Sequence, residues 1–172
     1  MATAPALAVP PGLDTCRALL EYDPDVAHVV VALKNRDARG LVTHLADGLA
    51  ELVPHHPGLV VTWSPTSTER RRQRGFDQAE LLARAVARRR RLPARRLLVR
   101  RRGAPQVGRS AGERWHHPGF AVRGPVPAAV VLIDDVLTTG ATLAAAAAAL
   151  RHGGAGAVHG LVVARAPRPG RV

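Results

Sequence analysis

The feature that most constrains this chain is the alternation of short aliphatic runs with helical patterns. Strands are predicted at residues 28–33, 59–62, 97–99, 129–133 and 160–163, where β-branched residues cluster. Helices are predicted over residues 41–52 and 77–90, and again from Ala141 onwards. Such alternation is typical of parallel βαβ units, and 172 residues suffice for one domain. We therefore expect a single α/β domain with a mainly parallel sheet of about five strands flanked by helices.

The two ends of the chain and one internal stretch lack this periodicity. Residues 1–25 are rich in Pro and Ala, and residues 166–172 in Pro, Gly and Arg, so both are expected to be flexible. Residues 26–165 are then the domain. Residues 100–127 combine Gly, Pro and Arg without a sustained period, which predicts a long loop with room for a hairpin. Because loops this long in compact domains are often functional, we expect this one to act as a lid.

Positive charge is concentrated in one part of the chain. The net charge is +12, and residues 70–102 contain fourteen arginines against only Asp77 and Glu80. Such a field attracts phosphates, whether on a small diphosphate, a nucleic acid or an anionic surface. The candidate nucleic-acid contact is the run Arg88, Arg89, Arg90 and Arg91. A merely solvated arginine-rich helix face is the alternative, and the composition fits it equally well.

Cysteine content and hydropathy bear on location and on metals. Cys16 is the only cysteine, which excludes an internal disulfide and a cysteine-based zinc site and fits a reducing compartment. The first residues lack a secretory pattern, and no apolar run approaches the roughly 18 residues that span a bilayer. We expect a cytoplasmic protein without membrane insertion. The doublets His55-His56 and His116-His117 lack an acidic partner at ligand spacing, so no protein-held metal is predicted.

The segment from Val130 to Thr142 carries the strongest indication of chemistry. An apolar run ends in Asp134 and Asp135, and a turn with hydroxyls and Gly140 follows before the third helix. Backbone N–H groups of such a turn at a helix N-terminus bind anions, and threonine hydroxyls add donors to a phosphate. The carboxylates would repel that phosphate but can accept hydrogen bonds from vicinal ribose hydroxyls. A sugar phosphate is therefore the predicted ligand. Its predicted phosphate-binding residues are Val136, Leu137, Thr138, Thr139, Gly140, Ala141 and Thr142.

This segment resembles the motif with which type I phosphoribosyltransferases bind phosphoribosyl diphosphate (PRPP). A second segment, residues 74–83 with the sequence RGFDQAELLA, is similar to the RGFNQA signature of the ComF family. Later positions of the family pattern look like Gln106, Arg114, His117 and Phe120 here. Asp77 and His117 stand where the family usually has Asn, and the four-cysteine zinc module of many members has no counterpart. The resemblance spans residues 26–164.

The resemblance implies a type I phosphoribosyltransferase-like fold with a lid loop and a PRPP-dependent transfer. In that fold a loop after the first strand binds pyrophosphate, and Lys34 and Arg36 occupy its place here. Arg109 and Arg114 in the lid would add positive charge near the leaving pyrophosphate, and Mg²⁺ would enter with PRPP. These four are the candidate catalytic residues. Thr138 stands where purine-salvage enzymes carry a carboxylate, which counts against purine salvage and leaves the acceptor unidentified.

Other hypotheses stay open at the level of sequence. ComF relatives are associated with DNA uptake in competence. The fold could therefore be a non-catalytic PRPP- or nucleotide-binding module that contacts competence proteins or single-stranded DNA. Basic DNA binding alone would leave Asp134 and Asp135 unexplained, because carboxylates repel a phosphate backbone. Turnover, the acceptor and a homodimeric state are not decided by the sequence.

Overall fold

The computed structural model describes residues 9–21, 23–33, 39–101 and 119–166. The strands in this part of the chain are β1 (Thr15–Glu21), β2 (Val60–Trp63), β3 (Leu98–Arg100), β4 (Phe120–Val122), β5 (Ala129–Leu137) and β6 (Ala157–Arg165). The helices are α1 (Pro24–Ala32), α2 (Arg39–Glu51), α3 (Thr68–Arg74), α4 (Gln78–Arg90) and α5 (Ala141–His152). Among these helices none has the length and apolar character needed to cross a membrane.

Four strands form a parallel sheet in the order β1-β6-β5-β2. The central strand β5 is buried over most of its length, as expected for a strand covered on both faces. Outside β2, the Val61 N–H donates to the Pro93 carbonyl (2.9 Å) and the Arg95 N–H donates to the Val61 carbonyl (2.9 Å). These bonds add a parallel bridge at Ala94. The predicted parallel α/β sheet is therefore confirmed, with four strands and this bridge where about five strands were expected.

Helices cover both faces of this sheet. On one face α1, α2 and α4 pack against the strands, and Leu49 and Leu82 are buried there with Ile133 of β5. On the other face α5 and the β3-β4 pair enclose a second cluster that includes Leu132 and Leu143. Full burial of each such leucine contributes about 1.5 to 3 kcal/mol to folding. The predicted helices over residues 41–52 and 77–90 and from Ala141 are confirmed as α2, α4 and α5.

The strand predicted over residues 28–33 is wrong, because these residues belong to helix α1 and its end. The Asp23 carboxylate caps this helix by accepting from the Val26 N–H (2.7 Å), and Pro24 occupies its first turn. Val30 is buried while Val31 is exposed, which is the pattern of a helix with one inward face. Consecutive valines favour a strand, which is why the sequence predicted one here. In the structure only part of this run packs into the core, as the inward face of a helix.

The flexible segment predicted over residues 1–25 is wrong for β1 and for the start of α1. β1 forms the edge of the sheet, where Thr15 pairs with His159 and Glu21 with Arg165. Asp14 fixes the start of the strand, because its Oδ2 accepts from the Val158 N–H (2.7 Å) and from Arg151 (2.7 Å). Residues 1–8 and 167–172 lie outside the described residues.

The predicted long loop over residues 100–127 begins and ends in a small antiparallel sheet. β3 and β4 pair with Leu98 opposite Val122 and Arg100 opposite Phe120. An antiparallel strand pair is therefore present where the sequence allowed a hairpin. Residues 102–118, which carry most of the predicted lid, lie outside the described residues.

The chain leaves β2 and β5 in opposite directions. After β2 it passes through α4 on one face and reaches the bridge at Ala94, outside β2. After β5 it passes through α5 on the other face and reaches β6. The carboxyl ends of β2 and β5 therefore lie at a topological switch point, where open α/β sheets bind their ligands.

Candidate functional site

The acidic pair lies within β5 rather than after it. β5 continues through both carboxylates, because Leu137 still pairs with Arg165 of β6. The side chain of Asp134 is buried, with 8% of the residue exposed, and Asp135 is half-buried. The strand predicted at residues 129–133 is therefore confirmed, and β5 continues beyond it to Leu137. The pair lies at the carboxyl end of the sheet, beside β2, as the ligand hypothesis requires.

Burial disfavours the charged form of Asp134. Its Oδ1 accepts a hydrogen bond from the Asp135 N–H (2.9 Å). Loss of hydration, followed by the charge of Asp135 and more weakly that of Asp77, raises the pKa of Asp134 well above its usual range. Asp134 and Asp135 are therefore chemically unequal, although the sequence presents them as a pair.

Gln78 fixes the orientation of Asp135. The Gln78 Nε2 donates to Asp135 Oδ2 (3.0 Å), and the Val136 N–H donates to Asp135 Oδ1 (2.8 Å). The Gln78 Oε1 in turn accepts from Arg74 Nη1 (3.3 Å). Because Arg74 ends α3 and Gln78 begins α4, this chain of hydrogen bonds joins both helices to the carboxylate of β5. Each oxygen of Asp135 keeps a second lone pair for a ligand.

Asp77 holds together the segment between β2 and α4. Its Oδ1 accepts from the Ala79 N–H (3.1 Å) and caps α4, while its Oδ2 accepts from the Thr66 N–H (2.9 Å). Two residues earlier, Gly75 ends α3 in the left-handed conformation with φ 81°. The RGFDQ stretch is therefore the element that positions Asp135. The sequence drew attention to this stretch through its resemblance but gave no role for Asp77 or Gln78.

The turn between β5 and α5 contains fewer residues than the predicted phosphate-binding set, residues 136–142. Val136 and Leu137 belong to β5, and Leu137 is buried, so the structure places them before the turn. Thr138 and Thr139 are exposed. Gly140 caps α5 with φ 79° and without a side-chain cap, and Thr139 Oγ1 accepts from the Ala141 N–H (3.3 Å). Ala141 and Thr142 form the half-buried first turn of α5. The exposed hydroxyls and first-turn N–H groups can serve as phosphate donors.

Pro10 packs directly against this turn. A Cβ added at Gly140 would lie 3.1 Å from Pro10 Cγ and 3.5 Å from Leu137 Cδ1. The positive φ and this crowding both favour glycine at the position. The predicted requirement for Gly140 is therefore explained by the protein's own packing. The residues before β1, which the sequence presented as flexible, support the turn from behind.

The candidate catalytic residues Lys34, Arg36, Arg109 and Arg114 lie outside the described residues. The context predicted for the first two is not found, because Leu33 is the last residue before them and caps helix α1 rather than ending a strand. Their assignment therefore stays a prediction from the resemblance alone.

Of the four arginines predicted as a nucleic-acid stripe, Arg89 is engaged within the protein. Arg89 is paired with Asp47, and its guanidinium also donates to the carbonyls of Thr43 (2.9 Å) and Ala85 (3.2 Å). This residue therefore joins α4 to α2. Arg91 is the C-cap of α4 in the left-handed conformation with φ 53°. Arg88 and Arg91 are exposed and Arg90 is half-buried, so the nucleic-acid contact stays a prediction for these three.

A cavity of about 390 Å³ lies between α3 and the end of β3. It is lined by residues 67–69, Arg72, Gln73, Arg100 and Arg101. Lost hydration and the repulsion of Arg70 lower the pKa of Arg100, and Asp134, when ionised, opposes this shift more weakly. The wall of the cavity therefore lies near the acidic end of β5. Apart from the net charge of residues 70–102, no sequence signal indicated it.

The donors near β5 fit a metal that is held chiefly by a substrate. Within the described ranges, no three His, Cys, Asp or Glu side chains form a group that could hold a metal ion. Mg²⁺ is usually bound by one or two carboxylates together with substrate phosphates, and half-buried Asp135 fits the part of such a carboxylate.

The chain matches no protein-family model, and no curated protein matches it either.

Proposed function

We propose that this chain binds PRPP or a closely related ribose phosphate at the carboxyl ends of β5 and β2, as a phosphoribosyltransferase of ComF type. The observation that carries the proposal is the position of the acidic pair and the Gly140 turn. Both lie at the switch point of the parallel sheet, where ligands of such folds bind.

The two halves of the ligand have separate partners. The hydroxyls of Thr138 and Thr139 and the first-turn N–H groups of α5 hold the phosphate monoester. Asp135, oriented by Gln78, accepts from a ribose hydroxyl. Asp134 is too buried to be the main ligand contact and stiffens the strand through the Asp135 N–H. This assignment gives the carboxylates unequal parts.

The transfer would displace pyrophosphate from ribose C1 by an acceptor nucleophile, with the pyrophosphate leaving together with its bonding electron pair. Such chemistry depends on neutralising charge on the leaving group and on holding the reactants in line. Mg²⁺ bound to the diphosphate would supply part of that neutralisation. Lys34, Arg36, Arg109 and Arg114 are proposed to supply the rest, on the strength of the resemblance.

Isothermal titration with PRPP and Mg²⁺ tests the proposal. We expect a binding heat in the wild type and a weakening of about ten- to a hundredfold in Asp135→Asn, since a charged hydrogen bond contributes about 1.5 to 3 kcal/mol. Gly140→Val should abolish binding, whereas Gly124→Val, at a positive φ of 73° with no atom within 4 Å of the added Cβ, is the matched control. A wild type without binding heat, or an Asp135→Asn variant within a factor of two of it, would refute the proposal.

A further inference from the structure

The cavity beside α3 is formed by a helix that contributes nothing to the core. None of the seven residues of α3 is buried. Its ends are fixed instead by caps: Ser67 Oγ accepts from the Arg70 N–H (3.3 Å), and the Gly75 N–H donates to the Arg71 carbonyl (2.8 Å). A helix without an apolar face gains little from packing. Its side chains are therefore available to a ligand.

Positive charge predominates in the wall of this cavity. Arg72, Arg100 and Arg101 line it together with a single carboxylate, that of Glu69. In the described part of the chain none of these three arginines has an ion-pair partner, and Arg100 lies over the ring of Phe120 at 5.7 Å. The remaining lining groups are the polar side chains of residues 67, 68 and 73. The wall therefore offers hydrogen bonds and cations, set among the apolar stems of its long side chains.

Three arginines share the wall of this cavity, and a fourth, Arg70, acts on one of them from outside it. Lost hydration and the repulsion of Arg70 lower the pKa of Arg100. Cations held close together without a counter-ion cost free energy, which a bound anion recovers. The volume of about 390 Å³ lies in the range of small-molecule sites, whereas a nucleic-acid backbone needs an extended groove.

We propose that this cavity binds the anionic group of the acceptor, which is a small molecule carrying a carboxylate or a phosphate. The inference rests on the proposed function in one respect, namely that the second ligand is an acceptor. The cavity opens at the end of β3, and its Arg100 lies near enough to the end of β5 for an ionised Asp134 to act on it. An acceptor anchored there by its anionic group would approach the ribose from the side of α3 and β3.

Ligand-observed NMR at fixed ionic strength tests the site with benzoate and phenyl phosphate, which share a ring and differ in the anion. Each probe is titrated with and without saturating PRPP and Mg²⁺. The cavity variant is Arg72→Gln with Arg101→Gln. The control is Arg95→Gln with Arg96→Gln, two exposed arginines outside the cavity. Thermal unfolding of both variants shows whether the fold survives, and Arg72→Gln alone is the second variant if the double substitution unfolds.

We expect one or both probes to bind, to remain bound in the presence of PRPP, and to weaken at least tenfold in the cavity variant but less than twofold in the control. The stronger probe identifies the anion. Probe binding that PRPP abolishes, or that the cavity variant retains, would overturn the proposal. A thymidine oligonucleotide that binds more tightly than either probe and is weakened in both variants would assign the surface to nucleic acid instead. A wild type that binds a probe in the cavity but gives no heat with PRPP would refute the proposed function while leaving the anion site standing.

Discussion

Substitution of Gly140 by alanine should destabilise the protein by two separable effects. The left-handed backbone with φ 79° costs a residue with a Cβ about 1 to 2 kcal/mol. The new Cβ would also lie 3.1 Å from Pro10 Cγ and 3.3 Å from Pro10 Cβ. Relief of this contact requires a shift of the proline by a few tenths of an ångström, so it adds about 1 kcal/mol, the lower end of the cost of overpacking. We therefore expect Gly140→Ala to cost about 2 to 3 kcal/mol.

Urea denaturation can separate the two effects. Gly124→Ala carries the same backbone cost at φ 73° but meets no atom within 4 Å, so it should cost about 1 to 2 kcal/mol. In the double variant Pro10→Ala with Gly140→Ala, a coupling of about 1 kcal/mol should appear, because the closest ring atom is gone. Equal losses for Gly140→Ala and Gly124→Ala, together with additivity in the double variant, would show that Pro10 does not press on the turn.

Four further outcomes follow from the site and its surroundings. Folding raises the pKa of Asp134, so the stability that this carboxyl contributes is complete below about pH 4 and is lost as the pH rises through the raised pKa. In Asp134→Asn the urea midpoint should therefore fall less with rising pH above about pH 4 than it does in the wild type. Asp14, whose pKa is lowered chiefly by the Val158 N–H, contributes in the opposite sense, and Asp14→Asn should lose most at neutral pH; matching pH profiles for the two variants would contradict this assignment. Gln78→Leu should weaken PRPP binding in titration while the α4 cap at Asp77 survives, and unchanged affinity would remove Gln78 from the site. Arg89→Gln should lower the urea midpoint more than Arg88→Gln, since only Arg89 joins α4 to α2, and equal midpoints would show that the pairing adds no stability.

Periodicity predicted the elements whose burial follows one simple pattern. The spaced leucines of α2 and the continuous apolar run of β5 were correctly assigned, because each has a single buried face or is buried throughout. Residues 28–33 were misassigned because three consecutive valines favour a strand locally, whereas Asp23 and Pro24 begin a helix. Strand β1 was missed because most of its residues are only half-buried and the Pro-rich residues before it suggested disorder.

The candidate site was predictable as a segment but not as a set of contacts. The order of acidic pair, glycine turn and helix indicated the Gly140 turn, since these residues are adjacent in the chain. The bond from Gln78 to Asp135 joins residues 57 apart, and the contact of Pro10 with Gly140 depends on how the start of the chain returns to α5. Contacts of this range depend on the topology of the sheet, which a single sequence does not specify.

The pairing of β1 with β6 has a consequence for how the molecule is made. Thr15 Oγ1 and His159 Nδ1 lie 3.0 Å apart although 144 residues separate them in the chain. On the ribosome, β1 emerges long before β6, with which it pairs in the described sheet, so this edge must wait until β6 has been synthesised. In the meantime β2 and β5 can pair, since both precede β6. The edge formed by β1 and β6 should therefore be the last part of the sheet to fold. Until then β1 is unpaired, and it is the segment that a nascent-chain chaperone would most need to protect.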